Sequence, residues 1–197
     1  MVVSFPEGVP VLTDGRVTLR AHRPADVEAV WEQCTDPVSQ RWTTVPVPYS
    51  RADAERFVTE VIPAGWSAGG WAFAVEAPDD DGRPRFCGTV ELRDEGNRRA
   101  EIAYGAHPWV RGRGDMVRAL ALLLDWGFTR QRLRTVIWWA NTGNWASRRT
   151  ASGSPNLSVA PYRLPGRSPT RSMPTAKSLK TRCNPCPRIA LPSAPAC

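Results

Sequence analysis

Lysine is missing from residues 1–149 of this chain, and acidic residues are missing from residues 150–197. The first segment balances 19 arginines with 19 acids, so the formal net charge of +7 belongs to the second. A strongly basic chain often binds nucleic acid, but this charge lies in a proline-rich segment with one aromatic residue, Tyr162. Because single-strand binding uses aromatic side chains for base stacking, we do not expect a nucleic-acid partner.

Long apolar runs are missing as well. No stretch of 18 or more apolar residues occurs, so we expect no membrane-spanning helix. The first ten residues lack the basic region and the apolar run of a signal peptide. The default expectation is therefore a cytoplasmic location.

Cysteine and histidine are too sparse to predict a metal site. Cys34 and Cys87 are isolated, and we interpret them as buried, reduced residues. Cys183 and Cys186 form a single CxxC, whereas a tetrahedral site needs four ligands. We therefore expect no metal.

Apolar periodicity predicts an α/β (α+β) fold for residues 1–149. The predicted strands cover residues 16–20, 71–77, 86–92, 100–107 and 135–140, and the predicted helices begin near Pro24, at Ser50, after Gly114 and near Asn141. All nine tryptophans lie at or before Trp145, whereas nine prolines follow Arg149. Because proline breaks helices and central strands, residues 150–197 are expected to be disordered.

One segment, residues 100–128, combines a strand, a Gly-x-Gly turn and an amphipathic helix. The start of a helix leaves backbone N–H groups unpaired and carries a partial positive charge. Glycines let the backbone approach a phosphate without a Cβ in the way. The segment therefore predicts a pyrophosphate-binding loop between the strand and the helix.

Five separate segments resemble the GNAT superfamily of N-acetyltransferases, in particular the ribosomal-protein alanine N-acetyltransferase (RimJ/RimL) type. They are GRVTLRAHRPAD, RWTTVPVPYS, FCGTVELR, RAEIAYGAHPWVRGRG and ANTGNWAS. The resemblance covers residues 14–149 and implies a mixed, mostly antiparallel sheet flanked by helices. It also implies transfer of an acetyl group from acetyl-CoA to a primary amine, either a protein N-terminus or a small amine.

The family's acetyl-CoA motif is Gln/Arg-x-x-Gly-x-Gly/Ala, and the chain matches it except at the last position. The resemblance implies that cofactor binding falls to Arg111, Gly112, Arg113, Gly114, Asp115 and Met116, mainly through backbone amides. Asn144 and Ser147 match the family's Asn-x-x-Ser, which lies beside the pantetheine and the thiol. Two residues of the loop are unusual for this motif. Met116 replaces Gly or Ala, and the carboxylate of Asp115 would repel a pyrophosphate, which would weaken binding.

Attack on a thioester needs a neutral amine, and hence a general base. Glu101 is our first candidate and Glu91 the second, although either could be a solvated or cross-strand-paired strand residue. Ser147 could donate a proton to the leaving thiolate, or it could simply bond to the helix backbone. His107 adjoins the loop, and we expect it to be structural.

After Asn-x-x-Ser the family continues with a helix ending in a Leu-Gly-Phe-type motif and then two antiparallel strands. Residues 150–197 contain none of these features, and our hypothesis is that they are translated out of frame. Loss of the strand pair would leave residues 135–140 as an apolar sheet edge that favours self-association. Activity would then be impaired, and the alternative function is a non-enzymatic CoA-binding or interaction protein.

Overall fold

A six-stranded sheet forms the centre of the computed structural model, which describes residues 8–154. Its strands follow chain order: β1 Leu12–Thr13, β2 Thr18–Arg20, β3 Gly70–Pro78, β4 Pro84–Asp94, β5 Arg99–Ala106 and β6 Thr135–Trp138. The first five strands pair antiparallel, and β6 pairs parallel to β5. The expected mixed, mostly antiparallel sheet is confirmed. The predicted disorder of residues 155–197 and the CxxC at Cys183 and Cys186 lie outside the described residues.

Helices cover both faces of the sheet. They are α1 Val27–Thr35, α2 Pro37–Trp42, α3 Arg51–Arg56, α4 Ile62–Ser67, α5 Asp115–Thr129 and α6 Trp145–Ser152, and a π turn joins α3 to α4. Ser50 caps α3 as predicted, because its hydroxyl accepts from the Asp53 amide at 3.2 Å. Among residues 8–154 no helix is both long and apolar enough to cross a membrane.

Several local predictions were inaccurate, and two of them concern helices. The segment at Pro24 starts as a 3-10 turn, and the α-helix begins only at Val27. Helix α2 was not predicted, although its signal was present in the sequence. Asp36 caps it by accepting from the Ser39 amide at 2.8 Å, and Pro37 occupies its first turn.

The larger core lies between the sheet and α5. The apolar face of α5 was predicted from its spacing, and Ala119, Leu120, Leu123 and Leu124 are fully buried there. Full burial of each such leucine contributes about 1.5–3 kcal/mol. A smaller cluster on the opposite face joins α1 and α3 to the sheet. Cys34 and Cys87 are buried and free, as expected.

The compositional break at Arg149 falls inside α6. This helix begins after Asn144 and ends at Ser152, and Ala151 beyond the break is fully buried. The division into residues 14–149 and 150–197 therefore stays a prediction about sequence composition. The folded segment itself continues past Arg149.

A buried ionic cluster fixes the start of α1 to the sheet. Arg20 donates to both carboxylate oxygens of Asp26 at 2.7 and 2.8 Å, and it reaches Glu76 at 2.8 Å. His22 is buried next to this cluster, with its Nε2 3.0 Å from the Thr89 hydroxyl. Burial lowers the pKa of His22 to about 3, because a charged imidazole would lose its hydration there.

This shift predicts a loss of stability on acidification. The unfolded chain binds a proton at His22 below pH ~6.5, whereas the folded chain resists it down to about pH 3. The free energy of unfolding should therefore fall below pH ~6.5, by about 2 kcal/mol from this group at pH 5. Urea unfolding at pH 7 and pH 5 measures the loss.

The matched variant for this test is His22→Gln, which keeps a polar group near Thr89. It should lose less than half as much stability as the wild type between the two pH values. His107 should contribute in the same direction, because burial also lowers its pKa. An equal pH dependence in wild type and variant would contradict the assignment to His22.

Candidate functional site

Strands β5 and β6 pair along only part of β5. Their parallel pairing runs from Arg99 opposite Thr135 to Ile102 opposite Trp138. Strand β5 continues for four further residues, to Ala106, whereas β6 ends at Trp138. Among the described residues no strand pairs with Ala103–Ala106 on this side of β5, and the space beside these four residues is called the cleft below.

The cleft leads to the loop that precedes α5. Gly112 and Gly114 both have left-handed backbones, with φ of +82° and +81°, and a Cβ on either would point into open space. Gly114 is the N-cap of α5, so the first amides of the helix have no intrahelical partner. The outer side of the loop thus presents N–H groups without obstruction, as an anion site requires.

Both arginines of the loop are engaged in ion pairs with neighbouring elements. Arg111 contacts the Asp36 carboxylate at 2.5 Å, which ties the loop to the start of α2. Arg113 contacts Asp80 in the β3–β4 turn at 2.6 Å and lies over the Trp109 ring. Arg111 and Arg113 are both predicted cofactor-binding residues, and the guanidinium group of each is paired with a carboxylate in this structure.

Asp115 points into the protein and away from the open side of the loop. It is fully buried, and Arg16 contacts its two oxygens at 2.7 and 3.3 Å. Arg113 adds a second cation at 3.7 Å. The repulsion expected between this carboxylate and a pyrophosphate is therefore offset, while the Asp115 backbone amide stays at the start of the helix.

Met116, the other departure from the family motif, fills a space beside the strands. A Cβ on Gly88 would lie 2.9 Å from the Met116 methyl and 2.2 Å from the Gly105 carbonyl oxygen. The methionine side chain packs where Gly88 provides no side chain of its own. The substitution is thus accommodated by the core.

The first turn of α6 is bonded to β5. Asn144 accepts from the Ser147 amide at 3.1 Å and thereby caps the helix. The Ser147 hydroxyl donates to the Tyr104 hydroxyl at 2.8 Å, and Tyr104 donates to the Ser147 carbonyl at 2.7 Å. Sequence reasoning missed Tyr104, because nothing along the chain connects residues 104 and 147. Burial raises the pKa of Tyr104.

Glu101 lies on β5 among partly paired charges. Arg93 is 4.0 Å from Glu101 but 2.7 Å from Glu91, so Glu91 holds the closer ion pair. Burial raises the pKa of Glu101; Arg93 opposes this effect, and Glu95 and Glu91 add to it. A carboxylate with a raised pKa and a weak partner retains the ability to accept a proton.

The structure does not bring Glu101 and Ser147 to the same face of the sheet. Side chains alternate along a strand, so Glu101 projects from one face of β5 and Tyr104, with Ser147, from the other. Helix α6 also reaches the start of α5, where a Cβ on Gly153 would touch Val117. The candidate residues thus surround the cleft from two sides.

His107 has a structural position, as expected. It is buried, and its Nε2 lies 3.0 Å from Glu32 of α1. Its Nδ1 faces the Trp109 amide at the start of the turn before the loop. Within residues 8–154 no group of three or more His, Cys, Asp or Glu side chains is arranged to hold a metal ion.

Comparison with protein families gives a match over the whole described domain. Residues 16–153 match the family model described as an acetyltransferase (GNAT) domain. Comparison with curated proteins gave no match.

Solved structures share the fold at low sequence identity. A GNAT-family acetyltransferase from Bacillus anthracis has a TM-score of 0.62 and 20% identity, covering 73% of this chain and 81% of that one. The ribosomal L7/L12 alpha-N-protein acetyltransferase RimL gives 0.63 and 18%, covering 76% and 83%. The microcin C7 self-immunity acetyltransferase MccE, solved with acetyl-CoA and AMP, gives 0.59 and 14%, covering 71% and 78%.

The ion pair between Arg16 and the buried Asp115 predicts that substitutions of the two residues have interdependent effects on stability. Arg16→Met should lower the urea midpoint because it removes the nearest cation from the fully buried Asp115. Arg51→Met is the matched control, since its pair with Glu28 is exposed on both sides and contributes little. The midpoint should fall several times further for Arg16→Met than for this control.

A double variant completes the cycle. Adding Asp115→Asn to Arg16→Met removes the uncompensated charge, so at least half of the lost midpoint should return. No recovery in the double variant would show that the Arg16 side chain acts through packing and not through its charge.

Proposed function

The chain belongs to the GNAT acetyltransferase family, and we propose that it transfers an acetyl group from acetyl-CoA to a primary amine. The observation that supports this most is the cleft between β5 and β6, which leads to an unobstructed helix N-terminus. We further propose a RimJ/RimL-like enzyme whose acceptor is a protein N-terminus or a small amine. A cytoplasmic location stays a prediction from the sequence.

The loop fits a pyrophosphate for reasons visible in its geometry. Two left-handed glycines keep Cβ atoms off its outer side, and the one acidic side chain at the helix start turns inward to Arg16. We propose that the backbone amides of Gly112, Gly114, Asp115 and Met116 bind the pyrophosphate of acetyl-CoA, with Arg111 nearby; the Arg113 amide already donates to the Val110 carbonyl at 3.3 Å, so Arg113 would contribute through its side chain. Asn144 would lie beside the pantetheine.

Charge at the loop can be redistributed when an anion binds. Arg113 pairs with Asp80, whose side chain is 93% exposed, so this pair is weak and easily exchanged. The pair of Arg111 with Asp36 is more enclosed, because the Asp36 side chain is only 15% exposed, and it keeps α2 against the loop. We therefore expect backbone amides to make most of the contacts to the bound anion. Arg113 would exchange its pair with Asp80 for a contact with that anion.

Acetyl-CoA supplies the acetyl group as a thioester. The acceptor nitrogen forms a bond to the carbonyl carbon, the carbon–sulfur bond breaks, and the sulfur leaves with the electron pair. We propose that Glu101 takes a proton from the acceptor on one side of β5. The Ser147 and Tyr104 hydroxyls lie on the other side, where a proton is needed by the departing sulfur.

The alternative is a non-enzymatic CoA-binding protein. It is favoured by one observation: the Ser147 hydroxyl already donates to Tyr104, so its proton is not directed at the cleft. Release of free thiol from acetyl-CoA in the presence of an amine distinguishes the two functions.

Two proposals about the C-terminus remain. We propose that residues 150–197 are out of frame, which the nucleotide sequence across codons 140–200 tests directly. Among the described residues β6 is an edge strand, and we propose that residues 135–140 support self-association and that activity is reduced as a result.

Cofactor binding can be tested with a pair of glycine variants. Gly114→Val should weaken binding of coenzyme A at least about tenfold, because a branched side chain would cover the loop amides. Gly82→Val is the matched control, since Gly82 has a similar φ of +77° and open surroundings but lies in the β3–β4 turn. Isothermal titration calorimetry measures both.

Equal losses in the two variants would mean that backbone strain alone explains the effect. Equal retention of binding would contradict the assignment of the loop.

The proposed base predicts a specific pH profile. Because the pKa of Glu101 is raised, kcat/KM should fall as pH decreases through that pKa, where the carboxylate becomes protonated. Glu101→Gln should lower kcat by about 10²–10⁴-fold and remove this acidic limb. Protonation of the acceptor amine also lowers kcat/KM, but at higher pH, and this second decrease should remain in the variant.

Glu91→Gln is the control, because Glu91 is tied to Arg93. It should retain the acidic limb and most of the activity. If Glu91→Gln loses the limb and Glu101→Gln keeps it, the base is Glu91.

A further inference from the structure

Gln33 of α1 is a buried polar residue in an otherwise apolar interface. Only 9% of it is exposed, and the neighbouring inward residues of α1 are Val27, Val30 and Cys34. Its Oε1 atom is buried and has no hydrogen-bond partner. Buried carbonyl oxygens are almost always paired in folded proteins, because an unpaired one forfeits its hydration.

The carboxamide of Gln33 lies directly over β5. A Cβ on Gly105 would be 2.6 Å from its Nε2 atom, so the end of the glutamine occupies the space that a side chain of β5 would otherwise fill. Gly105 belongs to the part of β5 beyond the last pair with β6. Gln33 therefore reaches the cleft from the side of α1.

A second unpaired atom lies nearby on the same face of the sheet. Gly105 is opposite Thr89 in β4, and Thr89 holds the Nε2 of His22. The Nδ1 of His22 is buried without a partner. The side chains of Gln33 and His22 thus lie over two paired residues of the sheet, and each has one buried atom without a hydrogen bond.

The same face of β5 carries the proposed base. Glu101, Ala103 and Gly105 alternate onto one face of the strand, and all three are partly exposed. Ala103, between Glu101 and Gly105, contributes only a methyl group to this face.

Helix α1 is held against the cofactor loop close to Gln33. Glu32 contacts His107 at 3.0 Å, and Asp36 contacts Arg111. His107 and Arg111 bracket the turn that leads into the loop. These two links fix the carboxamide relative to the proposed pyrophosphate site.

We propose that Gln33 binds the acceptor amine by accepting a hydrogen bond from its N–H group. This inference rests on the proposed acetyl transfer and names a residue that holds the acceptor. A primary amine carries the donors that an unpaired carbonyl oxygen lacks. Gln33 then orients the acceptor on the face of β5 that also carries Glu101.

The test variant is Gln33→Met, which keeps the length of the side chain and removes its hydrogen-bonding groups. Thiol release from acetyl-CoA is measured with a peptide that has a free N-terminal alanine and with spermidine. KM for the accepted amine should rise at least about tenfold. The Kd of coenzyme A, measured by calorimetry, should stay within about twofold of wild type.

Gln131→Met, two residues beyond the end of α5, is the matched control and should change neither constant. Gln33→Glu retains an acceptor oxygen and should keep KM within about threefold, which also guards against a variant that fails to fold. Circular dichroism confirms folding of each protein before kinetics.

The outcomes separate the two proposals. An active wild type with an unchanged KM in Gln33→Met overturns the inference and makes Gln33 a purely structural residue. A wild type that binds coenzyme A but releases no thiol with either amine overturns the proposed function and this inference with it.

Discussion

The structure depends on the point at which β5 and β6 stop pairing. Beyond Ile102 the edge of β5 loses its neighbour, and its backbone groups on that side need other partners. Such groups bond to water, to side chains or to a ligand. Helix α6 is bonded to this part of β5 through Tyr104 and Ser147.

Ion pairs from distant parts of the chain stabilise the loop at the end of this cleft. Arg16 neutralises Asp115 from the start of the sheet, and Asp36 holds Arg111 from α2. Each pair joins residues far apart in sequence, so the loop has its shape only when the whole domain has folded. The same links place α1, and with it Gln33, at a fixed position over β5. Cofactor loop and proposed acceptor side are thus parts of one connected unit.

Local signals predicted most of the elements. The apolar face of α5, the cap at Ser50 and the positions of β3 to β5 agree with the predictions, because each depends on residues within a few positions of one another. Helix α2 was missed even though Asp36 and Pro37 provide a recognisable start. The predicted strand at residues 135–140 ends two residues early, because strand length is set by pairing and not by composition.

The sequence by itself determined the family resemblance, the Gly-x-Gly loop before an amphipathic helix, and the sharp change of composition at Arg149. These are properties of neighbouring residues, and short-range physics is enough to interpret them. Only the tertiary structure decided that Asp115 faces inward to Arg16, that Tyr104 bonds to Ser147, and that Gln33 lies over Gly105. The reason is that burial and hydrogen bonding between distant residues depend on how the sheet and helices pack, which no local pattern encodes.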